Sequence, residues 1–300
     1  MAHDPFDLHA DAGLDESFVV REVRRFLDED VGSGDVTTDR VVSKAARARG
    51  SMVAREACVV AGLEIARVVF RAAGPAIAVH LAATDGDTVA AGAAVIRIDG
   101  PAAPILTGER VALNLVQRLS GIATITRRYA DAVRGTGASV SDTRKTTPGL
   151  RAFEKYAVRV GGGRNHRMGL YDAILIKDNH RAIAGGPAAA IAAARRTGGA
   201  GMPVQIEVDT LDELAQVLDL GVEAVLLDNM TPAKVAEAVR TARAHPRGRA
   251  CWIEASGGIT LATIRAYAEA GVDTISVGAL THSAPAVDIA LDLELTGHPD

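Results

Sequence analysis

The sequence predicts an α/β protein: a small N-terminal α/β domain followed by an open, incomplete (β/α) barrel. Three observations carry this. Between Ala138 and Val277, six short apolar runs each end in polar residues or glycine and give way to helical patterns; strands alternating with helices make a parallel sheet. Six units over roughly 150 residues fall short of the eight units and about 250 residues of a complete barrel, with a doubly wound sheet as the alternative. The stretch from Gly50 to Leu106 differs, with short apolar runs punctuated by turn residues.

The expected layout is a mobile leader over 1–16, an N-terminal domain over 17–118 joined by the C-terminal segment 285–300, and a barrel over 119–284. Three hundred residues, 48% of them hydrophobic, supply ample core. Cys58 and Cys251 stand far apart without CxxC spacing, so neither a disulfide framework nor a zinc ribbon is expected, and a reducing, cytoplasmic setting fits. The first residues are acidic and lack the apolar core of a signal peptide, and no apolar run reaches the roughly 20 residues of a membrane span.

In chain order, Val19, Val20, Val23, Phe26 and Leu27 recur at helical spacing behind Ser17, a candidate N-cap. Gly32 to Thr38 breaks that helix. Strands are expected at Ser51–Arg55, Cys58–Leu63, Ala76–Leu81 and Ala93–Ile98, with a helix at Leu63–Ala73 and turns at Asp85-Gly86-Asp87 and Asp99-Gly100-Pro101. A helix from about Glu109 to Arg134 carries the chain onward. In the barrel region, Thr210 with Glu213 reads as a capping box, Thr231-Pro232 as an N-cap with proline at N1, and Thr260 as the start of the last long helix. Gly221 and Gly271 close helices and open near-identical turns into strands.

Charge is distributed unevenly. Ser141–His180 holds eight Lys/Arg against four acids, in a chain of net charge -4. A compact cationic pocket in an acidic protein points to a small, multiply anionic ligand. Nucleic acid would call for an extended basic face with stacking partners, and aromatics are only 3%. Strand C-termini face the ligand in either fold, so Arg144, Lys145, Lys177, Glu207, Asp228 and Ser256 should converge on one mouth. Arg144 and Arg167 offer planar forks for carboxylate or phosphate, and Lys145 and Lys177 movable charges. Lys155 and Arg159, one turn apart, read as a solvated helix face. The loop Gly161-Gly-Gly163-Arg-Asn-His166-Arg167 has backbone freedom to wrap a ligand, with His166 a candidate donor. Glu207 and Asp228 suit a hydrated Mg²⁺ or the developing charge on a sugar. Ser256-Gly257-Gly258 and Gly278-Ala279 offer backbone N–H groups to a phosphate, with His282 in reach.

Several motifs together resemble the quinolinate phosphoribosyltransferase family: Asp142-Thr-Arg-Lys-Thr-Thr-Pro-Gly-Leu-Arg151, Gly161 to Leu170, Ile176-Lys-Asp-Asn-His180, Glu254-Ala-Ser-Gly-Gly-Ile259, Gly34-Asp35-Val-Thr-Thr38 and Glu109 to Leu115. The resemblance spans Ser17 to Leu293. It implies transfer of phosphoribosyl from phosphoribosyl pyrophosphate to quinolinate with decarboxylation, a step of NAD biosynthesis. It also implies an open barrel, Mg²⁺, and dimers in which Arg110 completes the neighbouring site. By the same resemblance, Arg144, His166, Arg167, Lys177 and the neighbour's Arg110 would hold quinolinate. Lys145, Glu207, Asp228, Ser256, Gly257, Gly258, Gly278, Ala279 and His282 would engage the donor, and Thr143 and Val277 would also bind substrate, with Lys145, Glu207 and Asp228 catalytic and Glu207 and Asp228 on the metal. Three other readings stay open: an aldolase with Lys177 as Schiff base, a non-catalytic sensor of phosphorylated metabolites, and a molybdate-operon relative using another substrate.

Overall fold

The computed structural model describes residues 14–197 and 202–296, so most of the expected leader lies outside the described residues. Two compact units emerge: residues 14–125, 152–161 and 284–296 in one, and 126–151 with 162–283 in the other.

The N-terminal unit opens with α1 (Glu16–Val31). Its cap is Asp15, not Ser17: the Asp15 carboxylate accepts the Phe18 N–H at 2.9 Å, and the Ser17 hydroxyl merely leans on the same carboxylate. A charged acceptor at a helix start also favours the dipole. In α2 (Thr38–Val41), Asp35 does the equivalent work, accepting the Thr38 N–H at 2.9 Å and the Thr107 hydroxyl at 3.2 Å. β1 (Arg47–Ala54) alternates outward and buried positions, and starts four residues before the expected Ser51. The extra residues include Arg47 and Arg49, which pair with Asp99 at 3.1 and 3.0 Å. Next come β2 (Cys58–Val59), α3 (Leu63–Ala73), β3 (Ala78–Leu81), β4 (Thr88–Val89), β5 (Ala94–Pro101) and α4 (Ala102–Ala132). The turn expected at Asp99-Gly100-Pro101 is the end of β5, so α4 begins seven residues earlier than Glu109. Gly62 stands at the N-cap of α3 and has no side chain to cap it. Asp85 substitutes, accepting the Gly62 and Leu63 N–H groups at 2.8 and 3.0 Å.

The barrel unit contains β6 (Ser139–Ser141). After α5 (Arg151–Val160), nearly all of which belongs to the N-terminal unit, come β7 (Ile174–Ile176), α6 (Asp178–Ala184), α7 (Pro187–Thr197), β8 (Val204–Val208), α8 (Leu211–Asp219) and β9 (Ala224–Asp228). α9 (Pro232–Ala244), β10 (Trp252–Ser256), α10 (Ile264–Glu269), β11 (Thr274–Ser276) and α11 (Ala279–His282) complete it. The six strands pair in parallel in the order β6-β11-β10-β9-β8-β7. The first strand thus pairs with the last, as in a closing barrel, while β6 and β7 do not pair. This is an open (β/α) barrel, and the order excludes the doubly wound alternative.

β12 (Ile289–Leu295) returns to the N-terminal unit and completes its antiparallel sheet, ordered β12-β1-β5-β3. Against the expectation of a solvated face, α5 buries Lys155 to 1% exposure and half-buries Arg159. Its fully buried Glu154 accepts from Arg118 at 2.8 Å, and the Tyr156 hydroxyl donates to Asp85 at 2.6 Å. Burial first, and the Asp85 carboxylate second, push the Tyr156 hydroxyl up.

Helix ends in the barrel follow the expected chemistry with two shifts. Thr210 accepts the Glu213 N–H at 3.2 Å, but the Glu213 carboxylate reaches past it to the Asp209 N–H at 2.9 Å. Thr260 starts a turn, and α10 itself begins at Ile264 behind Thr263. Strand register stacks the barrel side chains in levels. Gln205, Ala224 and Trp252 share one level, Glu207, Leu226 and Glu254 the next, and Asp228 and Ser256 the rim. No helix among the described residues is long and apolar enough to cross a membrane.

Candidate active site

The rim of the barrel surrounds a cavity of about 370 Å³, lined from every strand region of the sheet. Thr143, Arg144 and Lys145 follow β6, His166 and Arg167 lie on the glycine-rich loop, and Leu175 and Lys177 come from β7. Glu207, Leu226, Asp228, Asn229, Glu254, Ser256, Gly257, Gly258 and Ser276 complete the lining. Both β7 and the end of β6 reach the same cavity because the β11–β6 pairing curls the sheet round.

The cations of the rim are held by neighbouring side chains and backbone groups. Lys145 is held through its backbone, its N–H donating to Thr143 Oγ1 at 3.0 Å and its carbonyl accepting from Thr281 at 2.8 Å. Arg151 ties the two cationic loops together, donating to Thr146 at 2.9 Å and to the Met168 carbonyl at 3.0 Å. The buried Asp142 carboxylate fixes the His166 loop, accepting the His166 N–H at 2.9 Å and the Asn165 amide at 2.6 Å. Arg167 is buried and donates to the Ala173 carbonyl at 3.1 Å. His180 caps the start of α6 by accepting the Lys177 N–H at 3.0 Å.

Electrostatically the pocket has two halves. Burial, and then the neighbouring Arg144, hold the Arg167 guanidinium below its ordinary range, with Asp172 acting the other way. The Arg144 Nε is buried and has no hydrogen-bond partner. Two like charges crowded together, one with an unsatisfied donor, make a site whose free energy falls when an anion arrives. On the other side, Glu207, Asp209 and Asp228 can bring one carboxylate oxygen each within 4.8 Å of one another. Burial, then Glu207 and Asp209, push the Asp228 carboxyl up, while Lys177 and Lys145 pull it down. Crowded, oxygen-only donors of this kind suit a hard divalent cation.

Ser256-Gly257-Gly258 turns tightly, with both glycines at positive φ (97° and 62°). A Cβ on Gly257 would stand 2.2 Å from Asn229 Oδ1. Asn229 is itself at φ 53°, the only non-glycine residue there among those described. Gly278 stands against Lys145 and His282, and Ala279 begins α11 behind the buried Val277. These last residues and His282 are not part of the cavity lining. Arg110 is exposed on α4, in the N-terminal unit. Sequence reasoning gave no site role to Gln205, Asp209, Asn229, Glu254 or Ser276. The first four are polar residues inside or just past apolar runs, which is the signal they left.

Residues 35–120 match the N-terminal domain of quinolinate phosphoribosyl transferase, and residues 122–292 match its C-terminal domain. The chain belongs to the quinolinate phosphoribosyl transferase family. It is 44% identical over 276 residues to the nicotinate-nucleotide pyrophosphorylase (carboxylating) of Mycobacterium leprae, covering 90% of this chain and 95% of that protein. It is 40% identical over 274 residues to the probable enzyme of the same name from Bacillus subtilis, covering 91% and 93%. Among solved structures, NadC from Streptococcus pyogenes superposes with a TM-score of 0.89 at 38% identity, over 95% of this chain and 100% of that one. As a quinolinate phosphoribosyl transferase family member it is an enzyme with the family's open barrel.

Proposed function

We propose that the protein joins quinolinate to the ribose of phosphoribosyl pyrophosphate and releases CO2 and pyrophosphate, forming nicotinate mononucleotide. The observation that carries this is one cavity lined by Arg144 and Arg167 together with the carboxylates Glu207 and Asp228. The arginine pair, with Lys177, suits a dicarboxylate, and Leu175 and Leu226 give apolar surface for a flat ring. Lys145 and the Ser256-Gly257-Gly258 turn, with Gly278, Ala279 and His282 beyond the cavity, suit the phosphates. Glu207 and Asp228, with Asp209 beside them, have the oxygen donors to hold Mg²⁺, which would neutralise the departing pyrophosphate.

The ring nitrogen of quinolinate attacks the anomeric carbon with its lone pair, and the bond to pyrophosphate breaks with its electrons. Glu207 and Asp228 set negative potential beside the electron-poor ribose, and Lys145 receives the charge of the leaving group. The ring is then a pyridinium. Its 2-carboxylate leaves as CO2, the electron pair stays on carbon, and a proton fills the position. Arg110 of a second copy would close the mouth, so we take the working unit as a homodimer or an assembly of dimers. Buried free cysteines agree with a reducing cytoplasm; burial pushes the Cys251 thiol up to about 12.

The aldolase reading is disfavoured because Lys177 is ion-paired to Glu207 at 3.0 Å, unlike the desolvated apolar setting of a Schiff-base lysine. Incubation with quinolinate, phosphoribosyl pyrophosphate and Mg²⁺ should yield nicotinate mononucleotide and CO2 in equal amounts. Binding of both substrates without product would instead favour the sensor reading.

A further inference from the structure

Beneath the rim, Gln205, Glu254 and His166 form a buried polar cluster, with Glu254 1% exposed and Gln205 fully buried. His166 Nε2 lies 3.3 Å from both Gln205 Oε1 and Glu254 Oε2, and Gln205 Nε2 donates to Glu254 Oε2 at 2.8 Å. On the other side of the ring, His166 Nδ1 accepts the backbone N–H of Arg167 at 2.8 Å.

These contacts fix the tautomer of the ring. Because Nδ1 accepts, it carries no proton, so the ring proton sits on Nε2 and points at the two oxygens. Gln205 then has only one workable orientation. Turned over, its NH2 would meet the Nε2 proton and its oxygen would meet a carboxylate. Glu254 is the fixed end of the chain: its Oε2 takes both hydrogen bonds.

We infer that Glu254 is a positioning residue for the dicarboxylate site: through Gln205 and His166 it locks one imidazole tautomer, which anchors the Arg167 backbone and so aims the Arg167 guanidinium. This rests on the dicarboxylate reading of the site, but the tautomer does not.

The geometry makes a specific demand of variants. Glu254→Gln keeps an oxygen in the Oε2 position, able to accept from both His166 and Gln205, so it should retain the lock. Glu254→Leu has no acceptor and should lose it. Steady-state kinetics of the full-length variants should show the quinolinate KM raised roughly tenfold or more in Glu254→Leu, with the phosphoribosyl pyrophosphate KM within about twofold. Glu254→Gln should stay within about threefold of the parent on both. Independently of activity and of any variant at Glu254, ¹⁵N spectra of histidine-labelled protein should show the His166 ring neutral with its proton on Nε2, the signal being assigned by its absence in His166→Gln. An Nδ1–H tautomer or an imidazolium in the parent protein would overturn the inference, whatever the assays give. So would equal KM changes for both substrates in Glu254→Leu, or a loss in Glu254→Gln as large as in Glu254→Leu. Absence of turnover in the parent would sink the functional reading and leave the spectrum to decide the relay.

Discussion

Lys177 donates from Nζ to Glu207 Oε2 at 3.0 Å, and this single contact ties the cationic half of the pocket to its acidic half. The lysine serves both sides: it offsets the crowding of Glu207, Asp209 and Asp228, and it adds charge for a dicarboxylate. Lys177→Met should therefore move two affinities in opposite directions. The quinolinate KM should rise roughly tenfold or more, while Mn²⁺, used as a spin-active stand-in for Mg²⁺, should bind more tightly in electron paramagnetic titrations. Weaker binding of both would contradict this division of labour.

The raised pKa of Asp228 carries a sign that can be measured. Its folded form holds a proton more readily than the unfolded chain, so its ionised state opposes folding above the raised pKa, and the penalty is relieved as pH falls through it. Asp228→Asn should melt at a higher temperature than the parent at neutral pH without Mg²⁺, by roughly 2 °C, and the gap should close towards acid. Saturating Mg²⁺ should reverse the order by stabilising only the parent, while the variant loses about 10²-fold or more in kcat. A melting curve unchanged at all pH values would show that the carboxylate crowding has no energetic consequence.

Gly257→Ala tests the rim turn. The added methyl meets Asn229 Oδ1 at 2.2 Å and its backbone N at 2.7 Å, at φ 97° where a side chain is already strained. The phosphoribosyl pyrophosphate KM should rise about tenfold or more, with a stability loss of roughly 1–3 kcal/mol in denaturant titration. An unchanged donor KM would remove this turn from the phosphate site.

The rim was legible in the sequence because each barrel strand is a short Val/Ile/Leu run broken by a polar residue, and strand ends in such folds face the ligand. The cations of Ser141–His180 stood out by charge alone. The floor was not legible: Gln205 and Glu254 are single polar residues within apolar runs, and nothing in linear order says that they meet His166. Lys155 misled because its spacing from Arg159 is that of a solvated helix face, whereas α5 is built into the N-terminal unit, with Glu154 on Arg118. Asp99-Gly100-Pro101 has turn composition yet continues as strand, since β1 supplies Arg47 as partner to Pro101 and both Arg47 and Arg49 to Asp99. Local chemistry named the parts, and long-range pairing decided where they went.

The most direct test of the pocket is the pair of Michaelis constants of Arg167→Ala. Removing the buried guanidinium next to Arg144 deletes charged hydrogen bonds worth about 1.5–3 kcal/mol. The quinolinate KM should rise roughly ten- to a hundredfold while the phosphoribosyl pyrophosphate KM changes little. Equal losses for the two substrates, or none for either, would contradict the assignment of this crowded cationic pair to the dicarboxylate.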